Sequence, residues 1–259
     1  MRPSLLPGLL SATRRNLDRG AAAVRLFEIG RRYLSAEIGG GERPTLGLVL
    51  AGERVARSWA RGKAQPFDAY DAKAEALALL AEAGAPVDNL QVMGPDAFGP
   101  GAQFHPGQSG TLRLGPKTVL ARFGMLHPAT ARAFDLDGPV AMAELFLDAI
   151  PAKKAPGFAR PAYTPPALQA ITRDFAFLVP VALAAADLVR TVRNSDKANI
   201  VAARLFDDFR GAGVPEGQKS LAVEVTLQPG EKSYDDGELK AIAERVVAGA
   251  AKLGAVLRG

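Results

Sequence analysis

A chain of 259 residues, 48% hydrophobic and 23% charged, has the length for two ordinary domains and the composition of a globular protein. It contains no cysteine, which excludes disulfides, thiolate nucleophiles and cysteine-ligated zinc, and no apolar run approaches the roughly 20 residues of a membrane-spanning helix. The net charge of +5 fits a polyanionic partner or simply records an Ala- and Arg-rich composition.

The opening stretch MRPSLLPGLL carries an apolar stripe, Leu5, Leu6, Leu9 and Leu10, with Ser4 placed to cap a helix and Pro7 in its first turn. A helix is predicted over 4–19, stopped by Gly20, and a start this abrupt reads as the interior of a longer chain. Pro3, Pro7 and the following TRRNLDRG spoil the segment as a signal peptide, so a cytoplasmic location is expected. VRLFEIGRRYL predicts a strand with Val24, Leu26 and Glu28 on one face and Arg25, Phe27 and Ile29 on the other. GGGERP at 39–44 predicts a turn or flexible loop, and TLGLVLAG a second strand antiparallel to the first. Residues 67–83 predict a helix with Phe67, Tyr70, Ala74, Leu77 and Leu80 or Ala81 along one side, ended by Gly84 and Pro86. GPGAQFHPGQSG predicts a turn-rich connection without the lysine of a phosphate-binding loop. SGTLRLG, TVLARFGMLHP and VAMAELFLDAI predict further strands, giving residues 1–150 a mostly antiparallel sheet with flanking helices.

Five prolines between 151 and 166 disfavour helix and central strand alike, so 151–165 is predicted to be a linker. Beyond it, AITRDFAFLV, AAADLVRTVR, NIVAARLFDDF, KSLAVEVTLQ, DDGELKAIAERVVAGAAKL and AVLRG follow the order βαββαβ, the split ferredoxin-like pattern. Asp235 with Glu238 three residues later reads as a capping box for the last helix. Alternation assigns Phe175, Phe177, Val179, Leu221, Val223, Val225 and Leu227 to the core beneath the helices. It leaves Asp174, Ala176, Leu178, Ser220, Ala222, Glu224 and Thr226 on an open face, joined by Arg204, Phe206, Asp208 and Arg210 if the second strand keeps a regular register. Phe206 there suits either stacking on a base or packing under a neighbouring loop.

Catalytic material is sparse. His105 and His127 each precede Pro rather than forming a paired helical motif, so no metal site is predicted. Glu28, Glu144 and Asp148 fall on predicted strands, where pairing with the many arginines competes with an acid–base role, and no catalytic residue is assigned.

Taken together and in order, MRPSLLPGLLSATRRNLDRGAAAVRLFEIGRRYL, FHPGQSGTLRLG, FGMLHPATARAFDLDGPVAMAELFLDAI, ITRDFAFLV, LFDDFRG, GQKSLAVEVTLQ and the terminal LRG resemble the C-terminal part of the bacterial phenylalanyl-tRNA synthetase beta subunits. The resemblance implies an α+β chain in which residues 1–150 are a noncatalytic class II synthetase-like module packed against an alpha subunit. It implies no cofactor in this chain, with ATP and Mg2+ bound chiefly by the alpha subunit. Residues 166–259 are similar to the ferredoxin-fold anticodon-binding domain, implying phenylalanine tRNA as partner and Arg173, Asp174, Phe206, Asp208, Lys219 and Ser220 as the RNA-binding neighbourhood, with Tyr234 as a second stacking residue. KSYDDGEL stands where the family commonly shows a Thr-Leu-Thr-Asp pattern. The alternative is a stand-alone ferredoxin-like module binding RNA or a small molecule.

Overall fold

The computed structural model describes residues 2–35, 41–94, 103–152 and 164–258, and the chain divides into two compact units, 1–156 and 157–259. The expected linker lies mostly outside the described residues, as do Gly39, Gly40 and the start of the Gly-rich stretch before Gln103. Among the described residues no helix is long and apolar enough to cross a membrane.

The first unit runs α1 (Leu6–Asp18), β1 (Ala23–Tyr33), β2 (Glu42–Val55), β3 (Gln65–Pro66), α2 (Ala69–Glu82), β4 (Gln91–Met93), β5 (Phe104–Leu114), β6 (Thr118–Leu126), α3 (Pro128–Ala133) and β7 (Val140–Phe146). Its antiparallel sheet has the order β1-β2-β7-β6-β5-β4, with β3 on β2. Strand β2 is buried without a break from Thr45 to Ala51 because both faces are covered. Leu46, Leu48 and Leu50 meet Phe67, Ala72, Ala76 and Leu80 on the α2 side, whereas Val49 and Ala51 meet Leu6, Leu9 and Leu10 of α1. Helix α1 comes so close at Gly47 that a Cβ there would sit 2.9 Å from Leu9 Cδ1 and 3.0 Å from Leu5 Cβ.

Several expectations need correction. Tyr70 is exposed and Ala72, Ala76 and Leu80 form the buried stripe of α2, because the capping box of Asp68 and Asp71 fixes the helix start after Phe67. Glu42–Pro44 begin β2 rather than a turn, and Phe104–Gly110 form the first half of β5, with a register break between Phe104 and Ser109 absorbing the Pro-Gly pair. His127 caps α3, its Nδ1 accepting the Ala129 N–H at 3.1 Å.

The second unit runs β8 (Ile171–Pro180), α4 (Ala185–Asn194), β9 (Ile200–Phe209), β10 (Gln218–Leu227), α5 (Asp236–Ala251) and β11 (Val256–Leu257). The sheet order β11-β8-β10-β9, antiparallel throughout, is the ferredoxin-like arrangement. Asp235 and Glu238 make the reciprocal capping box at the start of α5. Phe177, Val179, Leu221, Val223, Val225 and Leu227 are buried with Leu188 and Val192 of α4 and Ile242, Val246 and Ala250 of α5, so both helices cover one face.

Candidate nucleic-acid interface

The other face of the β8–β11 sheet carries the candidate site. Glu224 of β10 lies between Asp174 of β8 and Arg204 of β9, and Arg204 Nε donates to Glu224 Oε1 at 2.7 Å. This pairing lowers the carboxyl pKa of Glu224 and raises that of the Arg204 guanidinium. Next along the sheet Ala176 lies opposite Ala222 and then Leu178 opposite Ser220, so that Ala176, Ala222 and Ser220 make a floor of small side chains.

Strand β9 then departs from the expected register. Val223 faces Leu205, but Ala222 faces Asp207 and Ser220 faces Phe209, so Phe206 is an extra residue without a partner on β10. The regular alternation predicted from sequence is therefore corrected: Asp207 and Phe209 join the open face, while Asp208 lies opposite buried Leu221. Phe206 is 52% exposed at the bulge, and Phe209 is 40% exposed.

Phe209 lies on the edge strand β9, and Arg258 follows the opposite edge strand, its N–H bonded to Ala176 O at 2.8 Å. The Arg258 guanidinium nevertheless comes within 5.9 Å of the Phe209 ring centroid, so the two side chains together bridge the intervening strands above the small-residue floor. The ring also folds over Gly211, where a Cβ would meet Phe209 Cζ at 2.4 Å. Any residue but glycine at 211 would displace the ring.

The predicted neighbourhood is thus divided. Asp174 and Ser220 lie on the open face, and Phe206 sits at its edge bulge. Arg173, Asp208 and Lys219 pair with Val225, Leu221 and Val179, the strand positions that face the helices. Asp208 is tied to Arg210 at 3.1 Å through both carboxylate oxygens, and that hydrogen bond, outweighing desolvation, holds its carboxyl below the usual range. Tyr234 belongs to the margin of the core, its hydroxyl 2.8 Å from Gln228 O and 3.0 Å from Asn199 Oδ1. Asp207, Phe209 and Arg258 were not singled out from sequence, since a bulge leaves no trace in composition; Gly211, two residues beyond Phe209, is the one local signal.

In the first unit the carboxylates that the sequence offered for chemistry, Glu28, Glu144 and Asp148, are each engaged by neighbouring groups. Glu144, 3% exposed, accepts the Ser4 hydroxyl at 2.6 Å and the Leu5 N–H at 3.0 Å, while Ser4 Oγ accepts the Leu6 N–H at 3.1 Å, satisfying the first donors of α1. Glu28 pairs with Arg2 at 2.6 Å and Asp148 with Arg43 at 3.6 Å. The Arg32 guanidinium lies 4.0 Å from the Phe146 centroid, and burial there lowers its pKa against the opposing pull of Glu144 and Asp148. Among the described residues no group of His, Asp and Glu is arranged to hold a metal ion.

Residues 1–147 match the family described as the phenylalanyl tRNA synthetase beta chain CLM domain, and residues 166–258 match the ferredoxin-fold anticodon binding domain. The chain is 74% identical over 260 residues to the phenylalanine-tRNA ligase beta subunit of Novosphingobium aromaticivorans, covering 100% of this chain and 32% of that protein. It is 55% identical over 258 residues to the corresponding subunit of Zymomonas mobilis and 46% identical over 269 residues to that of Brucella suis, with the same coverage of each. The chain thus spans about a third of the length of these relatives.

Proposed function

The chain belongs to the phenylalanyl-tRNA synthetase beta chain family, and on that footing we propose that it serves ATP-dependent charging of phenylalanine tRNA as a noncatalytic part of the ligase. The second unit binds the anticodon region of the tRNA. The first unit is a class II synthetase-like module that packs against the alpha subunit, and ATP and Mg2+ act at the alpha subunit.

The observation that carries this reading is the open face with Phe209 and Arg258 spread over a floor of Ala176, Ala222 and Ser220. A half-exposed aromatic ring beside a guanidinium offers a base a stacking partner, small floor residues let it approach the sheet, and the flanking Asp174, Ser220 and Asp207 supply polar groups for base edges. The Arg204–Glu224 pair keeps the adjoining part of the face electrically balanced. In the first unit, Glu144, Glu28 and Asp148 are engaged in caps and ion pairs, which supports a packing role there rather than chemistry.

The test is a fluorescence titration of the chain with phenylalanine tRNA and with an anticodon-substituted copy at two salt concentrations. A preference of more than about tenfold, roughly 1.4 kcal/mol, that survives added salt is expected. Equal affinities that weaken together with salt would reduce the interaction to generic charge and overturn the reading. The purified chain is expected to show no charging of tRNA by itself.

A further inference from the structure

The connection between β2 and β3 holds Trp59 fully in solvent, with a relative exposure of 100%. This projection is built rather than slack. Ser58 N–H donates to Gly62 O at 3.2 Å, Gly62 N–H donates back to Ser58 O at 2.8 Å, and Ser58 Oγ accepts the Arg61 N–H at 3.1 Å. Gly62 closes the turn at φ +76°, a conformation that favours glycine. At the base, β3 pairs with β2, and Arg54 is held by Gln65 at 2.7 Å and Asp71 at 3.6 Å. Arg57, Arg61 and Lys63 are exposed beside the indole and form no ion pair among the described residues.

A fully exposed indole on a fixed turn, beside cations that form no ion pair among the described residues, presents apolar area and positive charge to a partner together. We propose that the Trp59 turn is a docking knob that inserts into a second protein subunit, one whose surface offers an apolar slot rimmed by carboxylates. Charge complementarity selects an acidic rim for Arg57, Arg61 and Lys63. Tryptophan and arginine are the residue types that dominate the buried centres of protein interfaces. Single-stranded RNA is instead gripped by grooves that line up successive stacking rings, whereas this turn bears one ring, Trp59. The proposal rests on the reading above that the chain works in a ligase with an alpha subunit.

Trp59 is the sole tryptophan of the chain, so it reports on its own burial. Replacing it biosynthetically with 5-hydroxytryptophan separates its emission from that of any added protein. The labelled chain is titrated with purified alpha subunit and, separately, with phenylalanine tRNA, and acrylamide quenching is followed. The alpha subunit is expected to cut quenching at least about fivefold and tRNA to leave it unchanged. Trp59→Ala and the double reversal Arg57→Glu, Arg61→Glu are each expected to weaken alpha binding at least about tenfold, with unaltered melting of the free chain because all three side chains are exposed. A labelled Trp59 still fully quenched in an assembled complex overturns the proposal, as does shielding by tRNA alone or failure of the two chains to associate. If anticodon discrimination survives in those cases, the function proposed for the second unit stands and the docking knob alone is rejected.

Discussion

Ser4 and Glu144, 140 positions apart in the chain, are joined by a hydroxyl-to-carboxylate hydrogen bond of 2.6 Å, and the same carboxylate oxygen takes the Leu5 N–H. The buried acid on β7 thus acts as a cap supplied from outside the helix. Glu144→Ala is expected to leave these donors without their acceptor beside a buried position and to cost about 1–3 kcal/mol. Urea denaturation of the chain would register this as a lower midpoint; an unchanged midpoint would show that α1 does not depend on the carboxylate.

Gly47→Ala places a methyl group against Leu5 and Leu9, at 3.0 and 2.9 Å. With β2 fixed by β1 and β7 on either side, α1 has to move outward, at an expected cost of about 1–3 kcal/mol. A variant as stable as the parent would mean that the helix seats more loosely than its packing implies.

Phe209→Ala is expected to weaken binding of phenylalanine tRNA by about 1–3 kcal/mol, the typical worth of one base–aromatic stack. Phe206→Ala, at the bulge, is expected to matter less. Filter-binding isotherms for the two variants decide between the face as folded and the regular register read from sequence, which would reverse the ranking.

Tyr234→Phe keeps the ring but removes the hydroxyl that reaches Gln228 O and Asn199 Oδ1. The expected result is a loss of about 1 kcal/mol in stability with tRNA affinity untouched. Weakened tRNA binding at full stability would restore Tyr234 to the interface.

Asp196 accepts from Arg245 at 2.7 Å and from Asn199 at 2.9 Å with its side chain 8% exposed. Burial alone would raise its carboxyl pKa, but the hydrogen bonds outweigh burial and hold it below the ordinary value. Its contribution is therefore present above the unfolded pKa of about 3.9 and disappears as pH falls through the lower folded value. Asp196→Asn is expected to destabilise by about 1–2 kcal/mol at pH 7 and by progressively less under acid, measured as melting temperature against pH. Parallel profiles for the two proteins would exclude the carboxylate as the source.

The elements of the second unit were readable from sequence because local signals agreed: alternation in β8 and β10, and a capping box at α5. Helix α1 and the strand from Val24 were equally legible, since their apolar periodicity is strong. What escaped was fixed by partners far away in the chain. β3 and β4 contain two and three residues and exist only through pairing with β2 and β5, too short for any period to show. Phe104–Gly110 carries turn residues yet is held as strand by β6. The candidate site suffered most, because its membership hangs on one unpaired residue, Phe206, whose effect is to reassign every side chain after it.

That bulge also settles how two neighbouring acids are shared out. Asp207 and Asp208 are adjacent in sequence, but one lies across from Ala222 on the uncovered side and the other across from Leu221, where Arg210 holds it. A polyanion approaching the sheet meets a single repelling charge from the pair instead of two, and the second acid is already matched before the ligand arrives.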